Sequence, residues 1–290
     1  MKRQISLIMI VCLAIAQSCS LDEPTFGPET PGAEPYKVQI SGDIDQQPAT
    51  KVTTDGFCTG DEVGVYIVNY DGETPGKLKL EKNQADNVRF KYDGAGSWVS
   101  DYDIFYKDND TKVDFYGYYP YSESLSSSSA AQTTSVEAYA FEVERDQSKG
   151  AEDGKLSPYE ASDFLWAKTE KVTPTSSKVM MRFRHKMSSA RVRFSMGAGW
   201  ADESEFAAVS KEVLVTNTVR KTVIDLSTGV VTPIGETPLT SIIPMNDNGE
   251  FRAIVAPQTV EAGKNVLVIT IGGGSPRYFA GEKGKATEYV

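Results

Sequence analysis

"FRHKMSSARVRF", residues 183–194, holds the chain's single histidine, His185, together with Arg184, Arg191 and Arg193, and Arg182 stands just ahead of it. The stretch is either a reactive or nucleic-acid-binding basic patch or a piece of sheet. Its periodicity decides. In "KVMMRFRHKM" (178–187), Val179, Met181, Phe183, His185 and Met187 share one face of an extended chain. Arg182, Arg184 and Lys186 share the other, a period of two that belongs to a strand with one face buried. The phase shifts across Ser188–Ser189, which predicts a β-bulge. "ARVRFSM" then resumes with Ala190, Val192, Phe194 and Met196 inward. The arginines read as the wet face of a strand or as a cross-strand charge row. His185 falls on the buried side as a structural histidine, because no nucleophile motif accompanies it.

The same period recurs outward from this stretch. "YKVQI" (36–40), "DEVGVYIVNY" (61–70), "NVRFKYDGAGSW" (87–98) and "VEAYAFEVER" (136–145) alternate or are rich in β-branched and aromatic residues. "TKVDFYGYYPY" (111–121) places Val113, Phe115, Gly117 and Tyr119 on one face and Tyr116 and Tyr118 on the other. Aromatic residues on both faces predict a strand covered on both sides. Beyond residue 200 come "KEVLVTNTV" (211–219), "KTVIDLSTGVVTPI" (221–234), "GEFRAIVAPQTV" (249–260) and "KNVLVITIGGGSPRYFAG" (264–281). The sole helical candidate is "ADESEFAAV" (201–209). Turn signals every 8–14 residues predict an all-β chain of sandwiches with Greek-key wiring. The polar break "TEKVTPTSSK" (169–178) predicts a boundary between domains at 37–172 and 177–290.

The start of the chain has a different character. Lys2 and Arg3 precede the apolar run "ISLIMIVCLAIA" (5–16), too short for a permanent membrane span and suited to an export signal. "AQSCSLDE" follows. It resembles a bacterial lipoprotein signal with cleavage before Cys19 and acylation of its thiol, although Ala16 stands where that pattern prefers Leu. The "LDE" after Cys19 resembles the surface-export tag of Bacteroidetes lipoproteins. Residues 1–18 are then a signal peptide. Residues 19–36, with four prolines and no apolar periodicity, are a flexible tether. Cys58 is the one cysteine left, so no disulfide framework is expected. The formal charge of −10 repels free nucleic acid.

Five stretches, in order, resemble the fimbrillin (Mfa-like) family of Bacteroidales surface lipoproteins. They are "ATKVTTDGFCTGDEVGVYIV" (49–68), "VDFYGYYPY" (113–121), "SDFLWAKTE" (162–170), "VMMRFRHKMSSARVRF" (179–194) and "FRAIVAPQTVEAG" (251–263). The resemblance implies two tandem transthyretin-like β-sandwich domains in a structural or adhesive subunit of a cell-surface pilus. It implies an outer-membrane lipoprotein precursor that a trypsin-like protease cuts after a basic residue near the N-terminus. The first strand leaves, and an extended strand of the next subunit fills its groove. The cleavage-like position maps to Lys51, where Arg is usual, with Lys37 as the second choice. Family members continue past the region matched by "YFAGEKGKATEYV" and donate a C-terminal strand; here a further strand begins over 286–290.

Enzyme chemistry finds little purchase. One histidine excludes a histidine-pair metal site, and no GxSxG elbow accompanies it. "DNDTKVD" (108–114) has Lys and Val where a calcium loop needs a ligand and a glycine. "GGGS" (272–275) lacks the helix that would complete a phosphate loop. Neither cofactor nor metal is expected. The second functional reading is a monomeric surface lipoprotein that binds glycan or host protein through Trp98, Tyr102, Phe105 and Tyr106.

Overall fold

The computed structural model describes residues 33–45, 56–126, 135–235 and 239–289. The period-two stretches form strands. In chain order the first are β1 (Ile40–Ile44), β2 (Glu62–Asn69), β3 (Ala85–Tyr92), β4 (Trp98–Ser100) and β5 (Val113–Tyr119). Next come β6 (Tyr139–Glu142), the short helix α1 (Pro158–Ala161), β7 (Leu165–Val172), β8 (Val179–His185) and β9 (Ser188–Arg193). Helix α2 (Glu203–Ala208) precedes β10 (Lys211–Thr218), β11 (Lys221–Asp225), β12 (Val230–Pro233), β13 (Thr240–Ile242) and β14 (Met245–Asp247). The remaining strands are β15 (Glu250–Val255), β16 (Gln258–Val260), β17 (Asn265–Ile271), β18 (Arg277–Ala280) and β19 (Thr287–Tyr289). The fold is mostly β. Helix α2 sits where one was expected, its N-terminus capped by the Asp202 carboxylate, which accepts from Glu205 N at 2.9 Å.

Seven strands form the main sheet in the order β1-β8-β7-β5-β2-β3-β4. All neighbours are antiparallel except β1 and β8, which run parallel from Ile40↔Val179 to Ile44↔Phe183. All seven residues of β5 are buried, as the double-sided aromatic pattern predicts. Val113, Phe115 and Tyr119 join one apolar cluster with Val63, Val65, Ile67, Met181 and Phe183. Tyr116 and Tyr118 join another on the opposite face, with Tyr66, Tyr139, Phe141, Phe164, Val215, Ile224 and Ile254. Four smaller sheets complete the fold: β13-β10-β17-β18, β12-β11-β6, β14-β15-β9 and β16-β19.

The boundary expected between residues 172 and 177 falls in the connection between β7 and β8, which pair at Leu165↔His185 and Trp166↔Arg184. Strand β8 thus belongs with the first sheet, and β6 reaches forward to pair with β11. The bulge expected at Ser188–Ser189 is instead a change of sheet, since β9 pairs with β15 from Ser188↔Val255 to Arg193↔Glu250. Two strand-like phases met at those serines because two sheets meet there. Ala190, Val192 and Phe194 are only half-buried, and Met196 is exposed.

A true bulge lies between β2 and β3. The register moves from Val65↔Val88 to Ile67↔Ala85, which leaves an extra residue on β3. Asn87 takes the strain at φ 43°, a region where Asn is better tolerated than most residues. The bulge turns its side chain inward. There Oδ1 accepts from Tyr118 Oη at 2.6 Å while Nδ2 donates to Ser122 O at 3.0 Å. Tyr118 also leans over Gly64, where any Cβ would overlap its ring. Gly64→Ala should therefore lower the unfolding free energy by about 1–3 kcal/mol, the range for overpacking a core, as read from guanidinium denaturation midpoints.

Candidate functional site

The N-terminal segment from Tyr36 to Asp45 is held at the edge of the main sheet in two stages. In the first, Val38 N donates to Ile104 O at 2.8 Å and Tyr106 N donates to Tyr36 O at 3.0 Å. In the second, the chain moves over to β8: Val179 N donates to Gln39 O at 2.8 Å and Asp45 N to Phe183 O at 2.7 Å. From Val38 onward the even-numbered residues face the core, with Val38 and Ile40 fully buried and Ile44 packed at the margin of the same cluster. Lys37, Gln39 and Asp43 point to solvent. The segment reads as a strand because alternation lets one face fill a groove while the other stays wet.

The groove that β1 fills is aromatic. Gly42 lies against two rings, since a Cβ there would sit 3.2 Å from Phe183 Cε2 and 3.2 Å from Trp98 Nε1. Trp98 belongs to β4, the other edge strand, so the sheet curls until its two edges approach one another. Phe57 closes the arrangement, with ring centroids 4.8 Å from Trp98 and 5.2 Å from Phe183, both edge-on. Beside it, burial raises the Asp61 carboxyl above the usual carboxylate range, although it accepts from Cys58 N at 2.6 Å.

Of the residues singled out by sequence, Cys19 and Lys51 lie outside the described residues. Lys37 is exposed and pairs with Asp103 at 2.5 Å, ahead of β1. The four aromatic residues of the suggested binding platform do not form one. Trp98 and Tyr106 are 7 % and 3 % exposed and belong to the core, whereas Tyr102 and Phe105 are 59 % and 50 % exposed. Tyr102 and Phe105 lie in the irregular chain that follows β4, where no strand period sets which way a side chain points. Sequence reasoning also passed over β7 as a strand, although Leu165 and Ala167 are buried on alternate positions. Polar Thr169–Lys171 masked it.

His185 sits with Nδ1 3.0 Å from Asp163 Oδ1, both side chains largely buried. The pair ties the end of β8 to the turn after α1. An open cleft of about 530 Å³ adjoins it, lined by Lys186, Gly229, Val231, Gln258 and Tyr289 among others, with no serine or cysteine. The Nδ1 hydrogen bond of His185 goes to Asp163, not to a hydroxyl or a thiol. Among the described residues no group of three or more His, Cys, Asp or Glu side chains could hold a metal, and no helix is long and apolar enough to cross a membrane.

A family model described as Fimbrillin-like matches residues 50–289. Among solved structures, the chain resembles a protein of Bacteroides uniformis assigned to cell adhesion, at 19 % identity and TM-score 0.59, covering 88 % of each chain. A second such protein, from Bacteroides ovatus, matches at 15 % identity and TM-score 0.58, covering 89 % of this chain and 97 % of that one. A fimbrial protein of Bacteroides ovatus matches at 19 % identity and TM-score 0.47, covering 88 % of this chain and 46 % of that one. No curated protein matches.

The buried face of β1 gives the site its energetic weight. Ile40→Ala should cost about 2–5 kcal/mol of unfolding free energy, while the solvent-facing neighbour Gln39→Ala stays within about 0.5 kcal/mol. Urea denaturation of the two variants checks the contrast.

Proposed function

The chain belongs to the fimbrillin-like family, a family of structural rather than enzymatic proteins, and from that premise we propose that it is a subunit of a cell-surface fimbria assembled by strand exchange. Lipid on Cys19 holds the precursor at the outer membrane. A protease cut after Lys51 then separates β1 from the rest of the chain, and the extended strand of a neighbouring subunit takes the vacated place. Tandem transthyretin-like modules, spanning 37–172 and 177–290, are the arrangement proposed for the body of the subunit.

One observation carries the reading: β1 is an edge strand that plugs an apolar groove and connects to β2 through a segment with a single basic residue. Between Lys37 and Lys77 the sequence offers a trypsin-like protease only Lys51. A cut at Lys37 would leave β1 in its groove, so the geometry favours Lys51 of the two expected sites. The match to the family model begins at residue 50, after β1. At the far end, β19 pairs with β16 from Gln258↔Tyr289 to Val260↔Thr287. A strand given to a neighbour must either leave that pairing or come from elsewhere in the chain.

The second reading, a monomeric surface lipoprotein that binds glycan or host protein, retains Tyr102 and Phe105 as exposed aromatic contacts. Limited trypsin digestion of the lipidated precursor separates the two. Assembly predicts a new N-terminus at Val52 and filaments by electron microscopy, with Lys51→Gln abolishing both. A trimmed protein that stays monomeric, or a Lys51→Gln variant that polymerises as well as the parent, would count against strand exchange at β1.

A further inference from the structure

Most arginines of the basic stretch and its partner strand have carboxylates. Arg184 meets Asp45 at 3.1 Å, Arg193 meets Glu250 at 2.9 Å, and Arg252 meets Glu250 at 2.6 Å and Asp247 at 3.1 Å. Arg191 differs. It stands opposite Arg252 across the β9–β15 ladder and is half-buried rather than wet. Its Nε and Nη2 atoms are shielded from solvent and have no hydrogen-bond partner among the described residues. Those two nitrogens form the side edge of the guanidinium, the fork that takes two oxygens of one oxyanion.

Two hydroxyls share the place. Ser189 lies two residues before Arg191 and so on the same face of β9, and its buried Oγ has no partner. Tyr159 of α1 is 2 % exposed with an unpartnered buried hydroxyl. Burial raises its hydroxyl and the Asp163 carboxylate adds to that, while Arg252, the adjacent Ser189 and Arg191 oppose it. Ser188 is also unpartnered but projects to the opposite face, outside the group. The neighbouring carboxylates are engaged: Glu250 and Asp247 by arginines, Asp163 by His185. A shielded guanidinium edge without an acceptor is costly, and clustered buried polar atoms without partners are rare in folded proteins.

We infer that Arg191, Ser189 and Tyr159 form a binding site for a small oxyanion, a tetrahedral inorganic anion or a carboxylate, held between β9 and α1. The anion supplies the acceptors that the three side chains lack and fastens the edge strand of the β14-β15-β9 sheet to the α1 turn.

Thermal unfolding of the full chain at fixed ionic strength, in sodium sulfate or sodium formate against sodium chloride, tests the site and separates its two ligand sources. Sulfate, formate or both should raise the wild-type midpoint by a few degrees more than that of Arg191→Gln. In chloride alone the variant should be at least as stable as wild type, because it sheds an uncompensated charge. Equal responses of wild type and variant to both anions would overturn the site. Where Arg191→Gln does not fold, wild-type crystals soaked in selenate decide. An anomalous selenium peak within hydrogen-bond reach of Arg191 Nε and Nη2 supports the assignment, and an ordered water in that place refutes it.

Discussion

The parallel pairing of β1 with β8 is the contact on which the rest of the molecule leans. It joins residues about 140 positions apart in the chain and closes the main sheet where its aromatic groove would otherwise open. Strand β8 is the pivot. One edge of it holds β1, the other holds β7, and its inward residues Met181 and Phe183 are fully buried beneath both. Immediately after His185 the chain crosses to a different sheet, so β8 also transmits the position of the N-terminal segment to the β9–β15 ladder.

That pairing can be so consequential because the sheet beyond it is buried on both faces. Strands β2 and β5 turn Val63, Val65, Ile67, Val113, Phe115 and Tyr119 to one side and Tyr66, Tyr116 and Tyr118 to the other. The tyrosines put ring area into the core while keeping a polar end, and each hydroxyl must then find a partner. Tyr66 donates to Leu125 O at 3.0 Å, and Tyr118 to the Asn87 side chain that the bulge turns inward. These bonds fix the loop at 122–126 against the sheet. Removing β1 therefore exposes the aliphatic face and leaves the tyrosine face, with its hydrogen bonds, intact.

The alternation in the sequence made most strands legible, including the double burial of β5 and the wet positions of Arg182 and Arg184. It failed where two sheets meet. The phase change at Ser188–Ser189 looks the same for a bulge and for a change of sheet, because periodicity reports which way a side chain points and not which neighbour it meets. The same limit hid the half-buried position of Arg191 beside the exposed Arg193, and the irregular chain after β4 hid the split of Trp98 and Tyr106 from Tyr102 and Phe105. The parallel partner of β1 was beyond reach for another reason: pairing across so much chain leaves no local mark. What the residues did show was the segment itself, "YKVQI", alternating and apolar on one face.

The groove also constrains what could replace β1 under the proposed exchange. Backbone hydrogen bonds to the edge of β8 are available to any extended strand, so they set orientation without choosing a partner. Choice comes from the side chains that enter. Val38 and Ile40 occupy pockets that other aliphatic residues would fill with little loss, but at Gly42 the rings of Phe183 and Trp98 already lie in contact with the place a Cβ would take. An incoming strand must carry a small residue at that register or move Trp98 aside, and Trp98 is held edge-on by Phe57 and packed with Tyr92 at 5.1 Å. Two aliphatic residues followed, two positions on, by a small one is thus the pattern this groove accepts, and a strand displaced by one residue would turn its polar face into the same rings.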